Sequence, residues 1–433
     1  MSDGLAPRRA AALAYLAVMK QRRTLEAALE HTPDFNAMSD RDRAFARAIT
    51  ATTFRRLGQT RTVLNTLLSR PLDETSKGAE ALLVTGATQL LWMEGAPHAV
   101  VSSTVDLAQE RPDAQRMKGL INAVLRRIDR EGASLVKQTL PRDNLPEWLR
   151  DSWKAAYGPG TLSRIANAIM TPPPLDLTLR NPAEAEVWAE KLEAQILPNG
   201  SLRRNVVGDV RALPGYEEGA WWAQDAAAAI PATLLDLGPG KHAIDLCAAP
   251  GGKTLQLAAT GADVTALDLS EKRLQRVREN LDRTGLSAQL VAGDAREFMP
   301  PQRADAVLLD APCTATGTLR RHPEAGWIKQ ADDTPRMARL QDEMIKAAAD
   351  MLKPGGQLIL CTCSLQPEEG ETLAGRVVGR NKQLKESPIR AAEMPGLESA
   401  ITPAGWVRLT PALWAEQGGM DGFFIARFVK RAG

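Results

Sequence analysis

Two cysteines carry the chemistry for which this chain is best equipped: Cys313 in Asp310-Ala311-Pro312-Cys313 and Cys363 in Thr362-Cys363-Ser364. Each follows a short apolar run, residues 304–309 and 357–361, of the kind that forms a buried strand. In an open parallel sheet, ligands bind outside the carboxyl ends of the strands, so two thiols 50 positions apart in sequence are expected to meet at one crevice. A thiolate there is a nucleophile, and a second thiol beside it can assist the release of whatever the first has bound.

A glycine-rich loop lies upstream. Asp245-Leu246-Cys247-Ala248-Ala249-Pro250-Gly251-Gly252-Lys253-Thr254 stands where an apolar run at 242–247 gives way to a helical pattern. Glycines there let a ligand approach the backbone, and the helix that follows begins with unpaired N–H groups. Three ligand classes compete for it. A nucleoside triphosphate loop needs Gly-x-x-x-x-Gly-Lys-Thr, but the position five before Gly252 is Cys247. The dinucleotide pattern Gly-x-Gly-x-x-Gly is absent too. S-adenosyl-L-methionine, with its amino acid, ribose diol and adenine, asks for a glycine loop and then carboxylates at successive strand ends. Asp268, 16 residues after Gly252, ends the next run and can accept from both ribose hydroxyls; Asp294 ends the third and can accept from the adenine amino group. A lone Asp after a strand is more often a cap or turn former, but Asp268, Asp294 and Asp310 follow the loop in strand order.

The elements that must position these groups are legible in outline. At 433 residues the chain is long enough for two to four domains. Its charge is nearly balanced at +2, yet residues 1–150 carry net +5 and the remainder net −3, which makes the amino-terminal third the expected polyanion contact. Those first residues read as helices, over 6–29, 79–91 and 114–130, with Ser39 as an N-cap before Asp40-Arg41-Asp42. Arginines cluster at 41, 43, 47, 55, 56 and 61, and Lys118, Arg126, Arg127 and Arg130 cluster in the last helix; a solvated helix face and a phosphate-binding face both fit. Residues 141–215, broken by prolines and glycines, read as a linker and small mixed subdomain with a strand at 175–179. Beyond them, runs at 242–247, 264–268, 288–292, 304–309 and 357–361 alternate with helical patterns, notably 270–284 and 335–352, which predicts a doubly wound α/β sheet; 422–430 adds an antiparallel edge strand. Four cysteines without a CxxC pair argue against a disulfide framework or structural zinc, and no metal is expected. The amino terminus has no leader pattern and no apolar run reaches a membrane-spanning length, so a cytoplasmic protein with no membrane partner is expected.

Taken together, the segments 245–254, Asp310-Ala-Pro-Cys-Thr-Ala-Thr-Gly317 with Arg320-Arg321-His322-Pro323, Thr362-Cys363-Ser364 and the closing Asp421-Gly422-Phe423-Phe424 resemble the ordered motif series of the Nop/Sun RNA cytosine-C5 methyltransferases. The amino-terminal helices, with Arg126-Arg127 after Asn122-Ala123-Val124-Leu125, resemble the NusB-like RNA-binding domain, a pairing similar to the RsmB-type bacterial branch that methylates small-subunit ribosomal RNA. The resemblance implies a NusB-like helical domain over 1–140, a small α/β subdomain over 141–215, and a Rossmann-like S-adenosyl-L-methionine-dependent methyltransferase domain over 216–433. It places the cofactor loop on Cys247, Ala248, Ala249, Pro250, Gly251, Gly252 and Lys253, the ribose carboxylate on Asp268 and the adenine-side residue on Asp294. Asp310 would face both cofactor and base, Cys363 would be the nucleophile and Cys313 the product-release residue. One departure is Leu360-Cys361, where relatives often carry an aromatic and a small residue; Cys361 is expected to pack in the core.

The chemistry so implied is self-consistent. C5 of cytosine is a poor nucleophile until a thiolate adds to C6 and pushes electron density toward C5, N3 and O2. Only the thiolate attacks, so a cation such as Lys253 is expected near it. Asp310, protonated or sharing a proton, would meet the base near N3, and Cys313 or a water it positions would accept the C5 proton. The target base must be single-stranded or extruded. Arg320, Arg321 and His322 would hold its phosphates or stack on neighbouring bases, with Arg55, Arg56, Arg126 and Arg127 contacting RNA elsewhere. Trp221, Trp222 and Gln224 are expected in the core or at the cofactor edge. Three alternatives stand beside this reading. The same chemistry would serve equally on transfer RNA or another ribosomal site; a DNA cytosine-C5 enzyme would attack with Cys313, which the second cysteine and the lack of a large insertion disfavour; a non-catalytic RNA-binding assembly factor would not need the intact loop and thiols.

Overall fold

The computed structural model describes residues 4–70, 72, 76–205 and 208–432. The chain divides into two compact units, Met1–Thr171 with Leu319–Ala331, and Pro172–Thr318 with Asp332–Gly433. The division therefore falls 31 residues beyond the expected boundary at 140, because the helix Glu147–Ile169 goes with the bundle. It also assigns a short stretch from the second half of the sequence to the first unit.

The first unit is helical. The expected helix over 6–29 is two, Leu5–Gln21 and Leu25–Glu30, because Arg22 takes a left-handed conformation at φ 53° that ends the first. Asp40–Arg55 starts from the Ser39 cap, whose hydroxyl accepts from the Asp42 N–H at 3.1 Å. Lys77–Trp92 is buried on most faces and forms the centre of the bundle, against Lys118–Val136 and their neighbours. Glu147–Ile169 breaks at Gly158, φ 77°, immediately before Pro159. The stretch 319–331 adds Trp327 and Ile328 to the bundle's apolar core, and its Glu324 accepts from the Leu25 N–H at 3.1 Å.

The second unit holds two sheets. The smaller is antiparallel, ordered β2-β3-β1-β4 from β1 (Leu175–Leu179), β2 (Gln195–Ile196), β3 (Leu202–Arg204) and β4 (Trp221–Ala223). Across it the buried guanidinium of Arg203 grips Asp176 through two 2.7 Å hydrogen bonds. The larger is built from β5 (His242–Leu246), β6 (Asp263–Asp268), β7 (Gln289–Ala292), β8 (Ala304–Asp310), β9 (Leu352–Thr362), β10 (Leu384–Glu386), β11 (Val407–Leu409) and β12 (Phe423–Lys430). Its order is β10-β12-β9-β8-β5-β6-β7, with β5 to β9 all parallel, the doubly wound pattern expected from the sequence. β12 is antiparallel as expected, but it is not the edge: β10 and β11 pair with it in turn.

Alternation along the strands feeds two cores. Leu358 and Leu360 face the helices Asp333–Met351 and Glu371–Arg380 on one side, and Ile359 and Cys361 face the opposite core with Ala243, Leu308 and Ile425. The strand order reverses between β6 and β8 around β5, so the carboxyl ends of β5 and β8 flank the switch point where such sheets bind ligands. No helix among the described residues is long and apolar enough to cross a membrane.

Candidate active site

The glycine loop leaves β5 at that switch point. Cys247 (φ 64°) and Gly251 (φ 110°) both take left-handed backbone, and a Cβ on Gly251 would press Val277 at 3.2 Å. The helix Gly252–Ala259 begins there, and Lys253 in its first turn reaches across to β8, donating to Asp310 Oδ2 at 2.7 Å. Burial alone would lower the Lys253 ammonium, but the Asp310 carboxylate beside it reverses the direction and keeps it charged. The same ammonium sits 5.2 Å from the Phe423 ring, from the closing Asp-Gly-Phe-Phe motif. Lys253 thus goes to Asp310 and Phe423, where the sequence had suggested a place beside a thiol.

Below the loop, Asp245 is fully buried on β5. It accepts from Thr254 Oγ1 at 2.6 Å, while its Oδ1 has no partner among the described residues. Burial pushes its carboxyl up to about 7. The Cys247 thiol is pushed up to about 12, first by burial and then by the charges of Asp310, Asp268 and Asp245.

The parallel pairing of β8 with β9, in register Asp310 to Cys361, brings the two cysteine loops together. Cys313 Sγ lies 3.5 Å from Cys363 Sγ. Both are reduced and half-buried. The hydrogen bond to Cys363 and burial together raise the Cys313 thiol well above its ordinary value, with the Glu369 charge adding to the effect. Cys361 is buried, as expected of a core residue, yet its thiol also lies 3.6 Å from Asp310 Oδ1. The register that sets Asp310 opposite Cys361 makes this contact.

Two glycines allow the crossing of these loops. Gly317 N donates to Cys363 O at 2.9 Å and Gly422 N to Gly317 O at 2.8 Å. A Cβ on Gly317 would stand 2.1 Å from Gly422 O and 2.9 Å from Cys363 O. The spacing of the motifs, not any one of them, encodes this three-way contact.

The carboxylates expected to hold a ribose and adenine are present with partners of their own. Asp268, ending β6, accepts from Ala249 N at 3.1 Å and Ser270 N at 3.0 Å and pairs with Arg273 at 3.3 Å. Arg273 is 58 % exposed and can swing away from a ligand. Asp294 is held low by Arg296, which donates to it from side chain and backbone. Leu269, directly after Asp268, is 76 % exposed, an apolar surface at the ligand edge that polarity-based reading passed over. Trp221 is in the core of the small sheet; Trp222 packs on Ala249 of the loop; Gln224, which accepts from Trp222 Nε1 at 2.7 Å, lies against Gly252. A cradle with two left-handed residues, a helix start and successive carboxylates fits S-adenosyl-L-methionine. No group of three or more His, Cys, Asp or Glu suited to a metal occurs among the described residues.

The basic residues expected to meet RNA divide by exposure. Arg126, Arg127 and His322 are exposed, and Arg56 is half-buried with its guanidinium 4.6 Å from the Trp92 ring. Arg55 and Arg320 are buried, Arg55 donating to the Arg320 carbonyl at 2.8 Å, so both serve the packing of the first unit in place of the expected phosphate contact. Arg321, half-buried, and His322 belong to the same stretch of that unit. Burial is the one property an arginine's place in sequence does not announce.

A family model described as 16S rRNA methyltransferase RsmB/F matches residues 232–429, and one described as the NusB family matches residues 5–130. The chain is 37 % identical to the ribosomal RNA small subunit methyltransferase B of Pseudomonas putida over 98 % of its own length and 99 % of that protein. The Pseudomonas syringae pv. tomato protein of the same name is 36 % identical over 98 % and 97 %. Among solved structures, PH0851 superposes with a TM-score of 0.76 over 99 % of each chain at 23 % identity, a likeness of fold. A methyltransferase homolog from Pyrococcus horikoshii covers 65 % of this chain and 94 % of its own, with a TM-score of 0.55 and 26 % identity.

Proposed function

This chain belongs to the 16S rRNA methyltransferase RsmB/F family, and from that premise we propose that it methylates C5 of a cytosine in small-subunit ribosomal RNA through a transient covalent bond from Cys363. The observation that carries the reading is the 3.5 Å approach of the Cys363 and Cys313 thiols at the ends of two adjacent parallel strands, beside the Asp310–Lys253 pair.

S-adenosyl-L-methionine, when bound, supplies an electrophilic methyl group on a sulfonium. The loop from Cys247 to Lys253, with Asp268 and Asp294, would hold it by backbone N–H groups and carboxylates, and exposed Leu269 would add an apolar surface beside them. Cys363 as thiolate adds to C6 of the extruded base. Charge collects at N3 and O2, where the Lys253 and Asp310 pair holds a proton and disperses it. Once C5 carries the methyl, its proton passes to Cys313 or a water held there, and the bond from C6 to Cys363 breaks, restoring the ring. Arg126, Arg127, Arg56 and Arg321 provide the cationic contacts to RNA, with exposed His322 beside Arg321.

Adduct trapping tests the division of labour. Cys313→Ala should accumulate a covalent enzyme–RNA species and Cys363→Ala should form none and lose methylation. A Cys363→Ala protein that still bonds to RNA while Cys313→Ala does not would reverse the roles, as in a DNA-type enzyme. The target is read separately. Bisulfite sequencing of total RNA with and without the gene should lose one 5-methylcytosine from small-subunit ribosomal RNA, and loss from transfer RNA alone would move the substrate there.

A further inference from the structure

Behind the two thiols, and untouched by the chemistry above, lies a buried carboxylate with donors on both oxygens. Glu369 is fully buried in the turn before the helix Glu371–Arg380. Its Oε1 accepts from Thr314 N at 3.0 Å and Gln341 Nε2 at 3.3 Å. Its Oε2 accepts from Ser364 Oγ at 2.5 Å and from Thr314 Oγ1. Thr314 and Ser364 are the residues immediately after Cys313 and Cys363. The grip extends to the other side of Cys313, because Gln341 Nε2 also donates to Pro312 O at 2.8 Å. Ser364 is held from its other end by Arg408, which donates to its carbonyl at 2.5 Å while bound twice to Glu371.

Burying a carboxylate is costly unless its lone pairs are satisfied, and one that takes four donors from three separate segments fixes those segments to one another. Core packing alone does not ask for a carboxylate here; a Gln or an apolar side chain would fill the space without needing four donors. What the carboxylate ties together is specific: the backbone on both sides of Cys313 and the side chain next to Cys363.

We propose that Glu369 is a positioning residue that sets the separation of the Cys313 and Cys363 thiols, so that the group resolving the RNA adduct stays within reach of the bond it must break. This rests on the division of labour proposed above for the two thiols. Glu369 touches neither substrate nor cofactor; it acts through Thr314, Ser364 and Gln341. Freed of it, the two loops keep their glycine contacts but lose their common anchor, and the distance between the sulfurs broadens.

The direct readout needs no RNA. A diazene oxidant such as diamide takes two electrons and two protons from a thiol pair, forming the Cys313–Cys363 disulfide and the reduced hydrazine, at a rate set by how often the sulfurs meet. Glu369→Ala should slow this step about tenfold or more relative to the wild type, and Glu369→Gln, which keeps the shape and part of the bonding, should recover much of it. In turnover, Glu369→Ala should lower kcat by a similar factor with the KM for S-adenosyl-L-methionine little changed, and raise the fraction trapped as RNA adduct. Should Glu369→Ala not fold, Thr314→Val removes one of the four donors, the hydroxyl that also lies 3.2 Å from Ser364 Oγ, without changing charge, and must move all three readouts in the same direction. Wild-type rates of disulfide formation and turnover in a folded Glu369→Ala or Thr314→Val protein overturn the proposal. The two readings fail separately: a Cys363→Ala protein that retains adduct formation refutes the assignment of the nucleophile, whereas the disulfide rate reports on thiol geometry alone.

Discussion

Asp245 shows how much a single buried group can be read for. Its identity in the loop motif is plain from sequence, but the orphaned Oδ1 and the carboxyl pushed to about 7 by burial are not. Below the ordinary 3.8 of an unfolded Asp, both states keep the proton and the residue costs the fold nothing. As pH rises from there, the unfolded chain ionises first, and the penalty is complete above about 7, amounting to about 4 kcal/mol. Asp245→Asn removes the titration. Its stability relative to the wild type, followed by denaturant unfolding from pH 4 to pH 8, should therefore improve steadily with pH by up to that amount; a difference that does not vary with pH would show that the carboxyl ionises normally in the fold. The cysteines make the complementary point, since the meeting of Cys313 and Cys363 was legible from the runs that precede them, while the contact of Cys361 with Asp310 depends on the pairing of β8 with β9.

At the scale of elements, chemistry depends on turns as much as on strands. β8 and β9 deliver the cysteines to one edge, but the loops that follow cross only because Gly317 and Gly422 lack side chains. Gly317→Ala must push the Gly422 or Cys363 carbonyl aside, an overpacking that costs about 1–3 kcal/mol. Because one of those two carbonyls belongs to Cys363, the proposed nucleophile, kcat should fall about tenfold or more while calorimetric affinity for S-adenosyl-L-methionine holds, since the proposed cofactor loop follows β5. Retention of full turnover would mean that the loops have slack. The strands themselves were readable: alternation and apolar runs gave β5 to β9 within a residue or two at most ends, although β9 begins five residues earlier than its apolar run. The helix over 6–29 was not, because the break at Arg22 depends on a left-handed residue that no local composition demands.

Across the whole molecule, charge is unevenly held, and the basic surplus of residues 1–150 supports a role in gathering RNA. Arg126 and Arg127 are among its exposed members, Arg127 engaged with Glu131 at 3.0 Å and so only lightly committed. Arg126→Ala with Arg127→Ala should weaken RNA binding across sequences and make the dependence of log affinity on log salt shallower by about 1–2, with disulfide formation between Cys313 and Cys363 unaffected. An unchanged slope would place the phosphate contacts elsewhere. The same double substitution at Arg55 and Arg320 is a different experiment, because those side chains are buried and their loss would be felt in folding.

By itself the sequence determined the order of strands and motifs, and with it the likeness to a methyltransferase sheet: apolar periodicity is local, and the candidate site residues stand at the ends of recognisable runs. The tertiary structure alone decided which side chains meet, because hydrogen bonds and burial depend on pairing between segments far apart in the chain. Thus Lys253 went to Asp310, Arg320 into the interior, and Glu369, an unremarked acid in a Pro-Glu-Glu turn, between the two loops that carry the thiols.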